Sequence, residues 1–401
     1  MPRGKRIHIR NRHSFVDLVA AGVILFVAFG IAQAGPAELD KKFSAELNAL
    51  RVEFKFPGAT AAYVLPDGRI GRAATGLADV ERETPMTVDS RMLPASIGKT
   101  FAAATALALA EEGEFRLDDP ISKWLGDRPW FSRLPNANEI TLRQLLTHSS
   151  GLPDHVNSEE FARDVAQRWS EPGNPFPPES LVGYLLDKPA LFRPGRGYSY
   201  TDTGYILVGL IIEKTSHHTY YEEVTSRFLK PLHLTLTAPA FSRNLPGLAS
   251  GYMPKDNPLG LPAKTTTTPG VLTYNPVEEW TGGGLVSNSH DLAVWAKTLY
   301  EGHAMKGPYL TDLLQAVSPT PDDQSHAYGA GVSIDRKTPF GTSYGHGGWI
   351  PGYSSDMRYY KDHRIAVALQ INTDVGIVDN PKAASAIRER LAQVVVDWVR
   401  H

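Results

Sequence analysis

The chain has no cysteine in 401 residues. That excludes a thiol nucleophile, a disulfide framework, cysteine-ligated zinc and a lipid-modified N-terminal cysteine. It also has no surplus of either charge: 41 lysines and arginines stand against 43 aspartates and glutamates, a formal net charge of -2. A nucleic-acid binder would carry a basic excess, so nucleic acid is not an expected partner. His148, His155 and the His217-His218 pair lack the H-E-x-x-H spacing of a zinc hydrolase, and no metal or other cofactor is expected. There is no internal repeat and no low-complexity tail. Apolar residues make up 42 % of the chain, enough for a large core. The extended apolar run from Leu18 to Ile31 is shorter than the roughly 20 residues a spanning helix needs. It follows Arg3, Lys5, Arg6, Arg10 and Arg12 and precedes Ala32-Gln33-Ala34, the three parts of a signal peptide. Residues 1–34 are therefore expected to direct export to a periplasm or the extracellular space. Left uncleaved, the same segment would tether the protein to a membrane.

What the chain does have is a serine and a lysine three residues apart at the mouth of an alanine-rich stretch. Ser96-Ile97-Gly98-Lys99 precedes a run from Thr100 to Glu112 that reads as a buried helix ended by Gly113. Residues at i and i+3 share a helix face. At the helix start, unpaired N–H groups and the dipole favour developing negative charge, which suits an acyl-enzyme on Ser96. Alone the pattern is weak. A chain of this length shows S-x-x-K about once by chance, and an N-cap serine followed by a solvated lysine looks the same.

Two further sites follow in order. Pro194 to Tyr205 contains Tyr198-Ser199-Tyr200-Thr201-Asp202 on a loop, and Tyr344-Gly345-His346-Gly347-Gly348-Trp349 lies on an expected strand. With Ile140 to Pro153, which includes Thr147-His148-Ser149-Ser150-Gly151, and with Gly283-Gly284-Leu285-Val286-Ser287, these segments resemble the serine β-lactamase and penicillin-binding-protein superfamily. The likeness is greatest to the class C β-lactamase-related branch, with its DD-peptidase, D-aminopeptidase and esterase members. It covers about Phe56 to the C-terminus.

The resemblance implies roles for these residues. Ser96 is the nucleophile and Lys99 its base. A lysine amine at its reference pKa of about 10.4 is neutral in only about one molecule in 2,000 at pH 7, so such a base needs surroundings that disfavour the ammonium. Tyr200 relays the proton to the leaving group. His346 stands where class C β-lactamases carry lysine; as a cation it would hold a substrate carboxylate, and as a neutral imidazole it would hydrogen-bond Tyr200. The backbone N–H groups of Ser96 and Trp349 form the oxyanion hole, and Gly347 and Gly348 leave room for substrate. Two positions depart from the pattern. Asp202 replaces an asparagine whose amide donates to a substrate carbonyl, and an ionised carboxylate only accepts. Beside Lys99 it would also favour the ammonium. Gly347 stands where threonine is common.

Gly341-Thr342-Ser343-Tyr344-Gly345 also satisfies G-x-S-x-G, the nucleophile elbow of α/β-hydrolases. That elbow needs a buried strand before it and a helix after it, whereas Ser343 follows Arg336-Lys337-Thr338-Pro339 and precedes a glycine-rich turn.

The expected fold is α+β: an antiparallel sheet flanked by N- and C-terminal helices, with an inserted, mainly helical domain, the β-lactamase/transpeptidase arrangement. Residues 35–116 and 327–401 would form the sheet domain and 117–326 the helical one. Glu38 to Leu50 reads as an amphipathic helix, and Ala59–Leu65 and Arg69–Gly76 as a hairpin about Pro66-Asp67-Gly68. Gly329–Ile334, Ser354–Tyr360 and Ile365–Asn372 read as strands, and a last helix has Asn380 as N-cap and Pro381 in its first turn. The function these readings imply is a secreted serine hydrolase acting on an ester or a D-amino-acid-containing peptide. Its partners would be small-molecule or peptide substrates, peptidoglycan fragments among them. The alternative is a weakly catalytic penicillin-interacting protein on the same scaffold.

Overall fold

The computed structural model describes residues 36–401 apart from 171–172, 174–175, 258–259 and 321. The stretch read as a signal peptide, residues 1–34, lies outside the described residues. No helix among the described residues is long and apolar enough to cross a membrane.

Helix α1 (Pro36–Phe54) places Leu39, Phe43, Leu47 and Leu50 on one buried stripe, the spacing of an amphipathic surface helix. Strand β1 (Gly58–Val64) is buried on both faces, and β2 (Ile70–Asp79) returns beside it after the turn at Gly68, whose φ of +89° suits a residue without Cβ. A short β3 (Thr84–Pro85) ends this ribbon. After the turn Ala95–Ile97 comes α2 (Gly98–Glu111), buried from Gly98 to Leu109, and farther on α3 (Asp202–Ser216) and α4 (Ser289–Tyr300). Strands β4 (His326–Tyr328), β5 (Ser333–Thr338), β6 (Gly341–Ile350), β7 (Tyr353–Tyr360) and β8 (Ile365–Ile371) then lead to α5 (Pro381–Arg400).

The strands form one eight-stranded antiparallel sheet in the order β3-β2-β1-β8-β7-β6-β5-β4. Its centre is the pairing of β1 with β8, Ala59 opposite Ile371 through Val64 opposite Ala366. Both strands read as continuous apolar runs because helices cover both faces. On one face, Ala61, Tyr63, Val367 and Leu369 meet Phe43 and Leu47 of α1 and Ile387, Leu391 and Val395 of α5. On the other, Ala62, Val64, Ala366 and Ala368 share a core with Phe101 and Leu107 of α2 and Leu292 and Trp295 of α4. Ser289 at the start of α4 is hydrogen-bonded to Thr60 of β1, Oγ to Oγ1 at 2.7 Å. This is the α+β sheet flanked by terminal helices that the sequence implied.

One strand begins later than its pattern suggests. Gly329 to Val332 is the turn of the β4–β5 hairpin, closed by the Gly329 N–H to Val332 carbonyl bond at 2.8 Å, and β5 starts at Ser333 opposite Tyr328. The turn packs closely on α2: a Cβ on Gly331, whose φ is +69°, would lie 2.7 Å from the Ala103 Cβ and the Lys99 carbonyl oxygen.

Candidate active site

Ser96 sits in the tight turn leading into α2 rather than inside the helix. The preceding Ala95 has φ +48°, an unfavourable angle for a residue with a Cβ, and the turn is held from outside. Gly98 and Gly283 pack backbone to backbone, so that a Cβ on Gly98 would be 2.9 Å from the Gly283 Cα. Ser355 of β7 donates its hydroxyl to the Pro94 carbonyl at 2.8 Å. Strand β6 closes the other side: a Cβ on Gly348 would come within 2.0 Å of the Pro94 oxygen. Gly347 is different, since a Cβ there would find no atom nearer than 3.8 Å. The absent threonine therefore leaves open space, whereas Gly348 is required by contact.

Lys99 is fully buried one turn below Ser96. Its Nζ donates to Ser96 Oγ at 3.3 Å, to the Gly282 carbonyl at 2.7 Å and to Asp202 Oδ1 in a short ion pair. Asp202 is thus not turned away; it opens α3 and faces the lysine. Thr201, the N-cap of α3, and the Pro153 carbonyl it bonds at 3.0 Å fix that helix start. The Lys99 ammonium also lies 4.9 Å from the Tyr200 ring centroid and 5.5 Å from that of Tyr205.

Tyr200 lies beside Ser96 and lines the same cavity. Its phenol oxygen is buried and makes no hydrogen bond among the described residues. Burial and the Asp202 charge hold its pKa well above the ordinary tyrosine value, so the resting group is a phenol. Its ring packs against His148 at 4.2 Å between centroids, tilted by 37°, and His148 Nδ1 accepts from the Thr201 N–H at 3.2 Å. The Thr-His-Ser-Ser-Gly segment therefore supports the tyrosine loop from behind.

His346 departs from both direct roles expected of it. Its Nε2 is 2.7 Å from the Tyr328 hydroxyl and its Nδ1 is 2.5 Å from the Gly347 carbonyl. The carbonyl only accepts, so Nδ1 carries the proton and Nε2 accepts from Tyr328. Burial and the nearby Lys99 charge push its pKa down to about 3, which keeps the imidazole neutral. It neither presents a cation nor bonds Tyr200, whose ring lies 6.2 Å away. Tyr328, with no motif around it, links the two; its ring is 6.1 Å from that of Tyr200.

Trp349 exposes its indole, tethered by a 3.1 Å bond from Nε1–H to Asp374, and its backbone continues β6 past the Ser96 turn. Ser343 is buried mid-strand, paired with Tyr360 and Asp335 in register, which is not the strand-to-helix setting of a nucleophile elbow.

Ser96, Tyr200, Asp202, His346, Gly347, Gly348 and Trp349 line one cavity of about 720 Å3. Val156, Phe161, Val165, Ile206, Ile377 and Val378 give it apolar walls, and Asp154, Glu278, Glu279 and Asp356 add four more carboxyls. No lysine or arginine is among its described lining residues. Asp154 is held by His155 and Thr203, and Asp356 by Arg358 and Arg388. None of these carboxyls was singled out from sequence; the Glu278-Glu279 pair just before Gly282-Gly283-Gly284 was the available signal.

A serine and a tyrosine over a buried lysine, set against such a sheet, are the arrangement expected of the serine β-lactamase and penicillin-binding-protein superfamily, and the comparisons agree on the family. The Beta-lactamase family model matches residues 41–392, and the chain belongs to that family. It is 27 % identical over 306 residues to Penicillin-binding protein 4* of Bacillus subtilis, covering 72 % of this chain and 62 % of that protein. The chain thus spans less than two thirds of that relative. Among solved structures it resembles a D-stereospecific amidohydrolase from Streptomyces sp. (27 % identity, TM-score 0.71, 85 % of this chain and 95 % of that one). It also resembles the D-amino acid amidase from Ochrobactrum anthropi SV3 complexed with L-phenylalanine (25 % identity, TM-score 0.74, 89 % and 98 %).

Proposed function

We propose that the protein is an exported serine hydrolase that forms an acyl-enzyme on Ser96 from a D-amino-acid ester, amide or small peptide lacking a carboxylate near the scissile bond. The observation that carries the substrate choice is the charge of the cavity. Its described lining offers no lysine or arginine, His346 is neutral, and Lys99 is committed to Asp202. A substrate carboxylate would lose water there without gaining a free cation. Dedicated DD-carboxypeptidase or β-lactam substrates carry such a group; esters and amides do not.

Lys99 acts in its neutral form. Losing one proton leaves an amine that still donates to Asp202 and Gly282 and turns its lone pair to Ser96 Oγ. The Ser96 hydroxyl gives its proton to that amine as Oγ attacks the substrate carbonyl. The oxyanion forms between the backbone N–H groups of Ser96 and Trp349. Tyr200 passes a proton to the departing alcohol or amine, and water attacks the acyl-enzyme by the reverse route. The Lys99–Asp202 pair also supports a second reading, a penicillin-interacting protein that acylates and turns over slowly, because the pair stabilises the ammonium over the amine.

The test is fluorophosphonate labelling followed by peptide mapping, beside a turnover panel of a D-phenylalanine ester, its amide, a D-Ala-D-Ala peptide and nitrocefin. The adduct is expected on Ser96, and the ester and amide are expected to exceed the carboxylate-bearing substrates in kcat/KM. Labelling of Ser343, or nitrocefin as the best substrate, would overturn this reading. Stoichiometric acylation without turnover of any substrate would establish the second.

A further inference from the structure

The exchange of asparagine for Asp202 removes a hydrogen-bond donor from the cavity. A carboxyl 77 residues farther along the chain stands beside the gap. Asp202 and Glu279 approach the same pair of glycines: a Cβ on Gly282 would lie 3.1 Å from Asp202 Oδ1, and one on Gly283 would lie 3.0 Å from Glu279 Oε2. Gly283 in turn lies against Ala95, the residue before Ser96, its notional Cβ 2.8 Å from the Ala95 carbonyl carbon. Both carboxyls therefore stand at the foot of the nucleophile turn, and both line the cavity with Ser96 and Tyr200.

Only one cation serves them. Lys99 is ion-paired to Asp202, and among the described residues Glu279 has no ion pair. The other groups facing Glu279 are its neighbour Glu278, His155, Tyr221 and Tyr274. His155 is held by Asp154 and Thr203. The phenols of Tyr221 and Tyr274 donate to the carbonyls of Gly284 and Pro351 at 2.9 and 3.2 Å. Two adjacent carboxyls do not both ionise readily.

We propose that Glu279 works as a neutral carboxylic acid, its O–H donating a hydrogen bond to an acyl-side amide carbonyl of the substrate and so supplying the donor that Asp202 cannot. Burial, Asp202 and Glu278 together push its pKa up to about 8, consistent with a protonated group at neutral pH. The substrates favoured are N-acylated D-amino-acid esters and amides, which carry that carbonyl. The inference rests on the acyl-enzyme reading above.

The experiment compares wild type, Glu279→Gln and Glu279→Ala on an N-acetyl-D-phenylalanine ester and on p-nitrophenyl butyrate, which has no acyl-side amide. Glu279→Ala is expected to lower kcat/KM for the N-acetyl ester about tenfold more than for the butyrate, within the range of one lost hydrogen bond. Glutamine, a permanent donor of the same shape, is expected to recover most of that selectivity. Because the donor is present below the Glu279 pKa and lost above it, wild-type selectivity should fall as pH rises through about 8, whereas that of Glu279→Gln should not. Infrared spectra should show a protonated carboxyl stretch at neutral pH that disappears in Glu279→Gln. Glutamine as poor as alanine would mean that the anion is the working form and would overturn the proposal, as would equal selectivity in all three proteins or no such stretch. A wild type that hydrolyses neither ester would defeat the acyl-enzyme reading instead, and the infrared band would still decide the protonation.

Discussion

At the scale of single residues, the site turns on how many acceptors surround one amine. Lys99 has three donors and finds three acceptors, Ser96, Asp202 and Gly282. The arrangement satisfies the ammonium, and after loss of one proton it leaves the lone pair only at Ser96. Tyr200, whose buried phenol oxygen beside Ser96 makes no hydrogen bond of its own among the described residues, is the group proposed to return that proton. Lys99→Ala and Tyr200→Phe are each expected to lower kcat/KM by about 100-fold or more, the lower end for general acid–base groups, with unchanged circular dichroism. Adding Lys99→Ala to Ser96→Ala should cost little further, because residues acting as one unit are not additive. Steady-state kinetics on a D-amino-acid ester checks both. Activity within a few-fold of wild type in either single variant would remove that residue from the mechanism.

At the scale of elements, the site depends on β6 lying against the Ser96 turn, and the two glycines of that strand are not equivalent. Gly348→Ala would drive a Cβ to 2.0 Å from the Pro94 carbonyl oxygen and 2.5 Å from Ser355 Oγ, parting the strand from the turn that carries Ser96. Gly347→Ala meets only atoms at 3.8 Å and beyond. The first change is expected to abolish fluorophosphonate labelling of Ser96 and to lower Tm, and the second to keep both within a small margin. Labelling rates and thermal melts read the difference. Identical behaviour of the two variants would show that β6 does not set the turn. The elements themselves were largely visible in the sequence. The heptad-like spacing in α1, the Pro-Asp-Gly hairpin and the Asn380-Pro381 start of α5 are local signals, and each appears in place. The strand read from Gly329 was not, because its first four residues form the hairpin turn between Tyr328 and Ser333, with Gly331 against α2.

At the scale of the whole molecule, the edge of the sheet farthest from β1 is joined to the C-terminal helix by buried charge. Arg358 of β7, 7 % exposed in its side chain, bonds Asp335 of β5 at 3.2 Å and Asp356 of β7 at 3.2 Å, and Asp356 also receives Arg388 of α5 at 3.5 Å. Removing the central cation leaves carboxylates with less than their share of counter-charge in a dry setting. Arg358→Met is expected to cost about 3 kcal/mol, the lower end for breaking a buried ion pair. Urea unfolding should show a lower midpoint with an unchanged slope. Asp335 also touches His326 of β4, and a loss near zero would mean that Asp335 and Asp356 are adequately held by His326 and Arg388.

The sequence by itself determined the Ser96-x-x-Lys99 motif, the two later motifs and the order of helices and strands, because each depends on residues near one another in the chain and on periodicity. It also carried the departure at Asp202. What only the tertiary structure decided are the relations between distant segments. Lys99 and Asp202, 103 positions apart, close into an ion pair, Tyr328 rather than Tyr200 takes the His346 bond, and Glu279 comes to stand beside Asp202. Protonation follows the same division: whether His346 is charged is set by burial and by the Lys99 ammonium that folding brings near it, and a sequence has no dielectric.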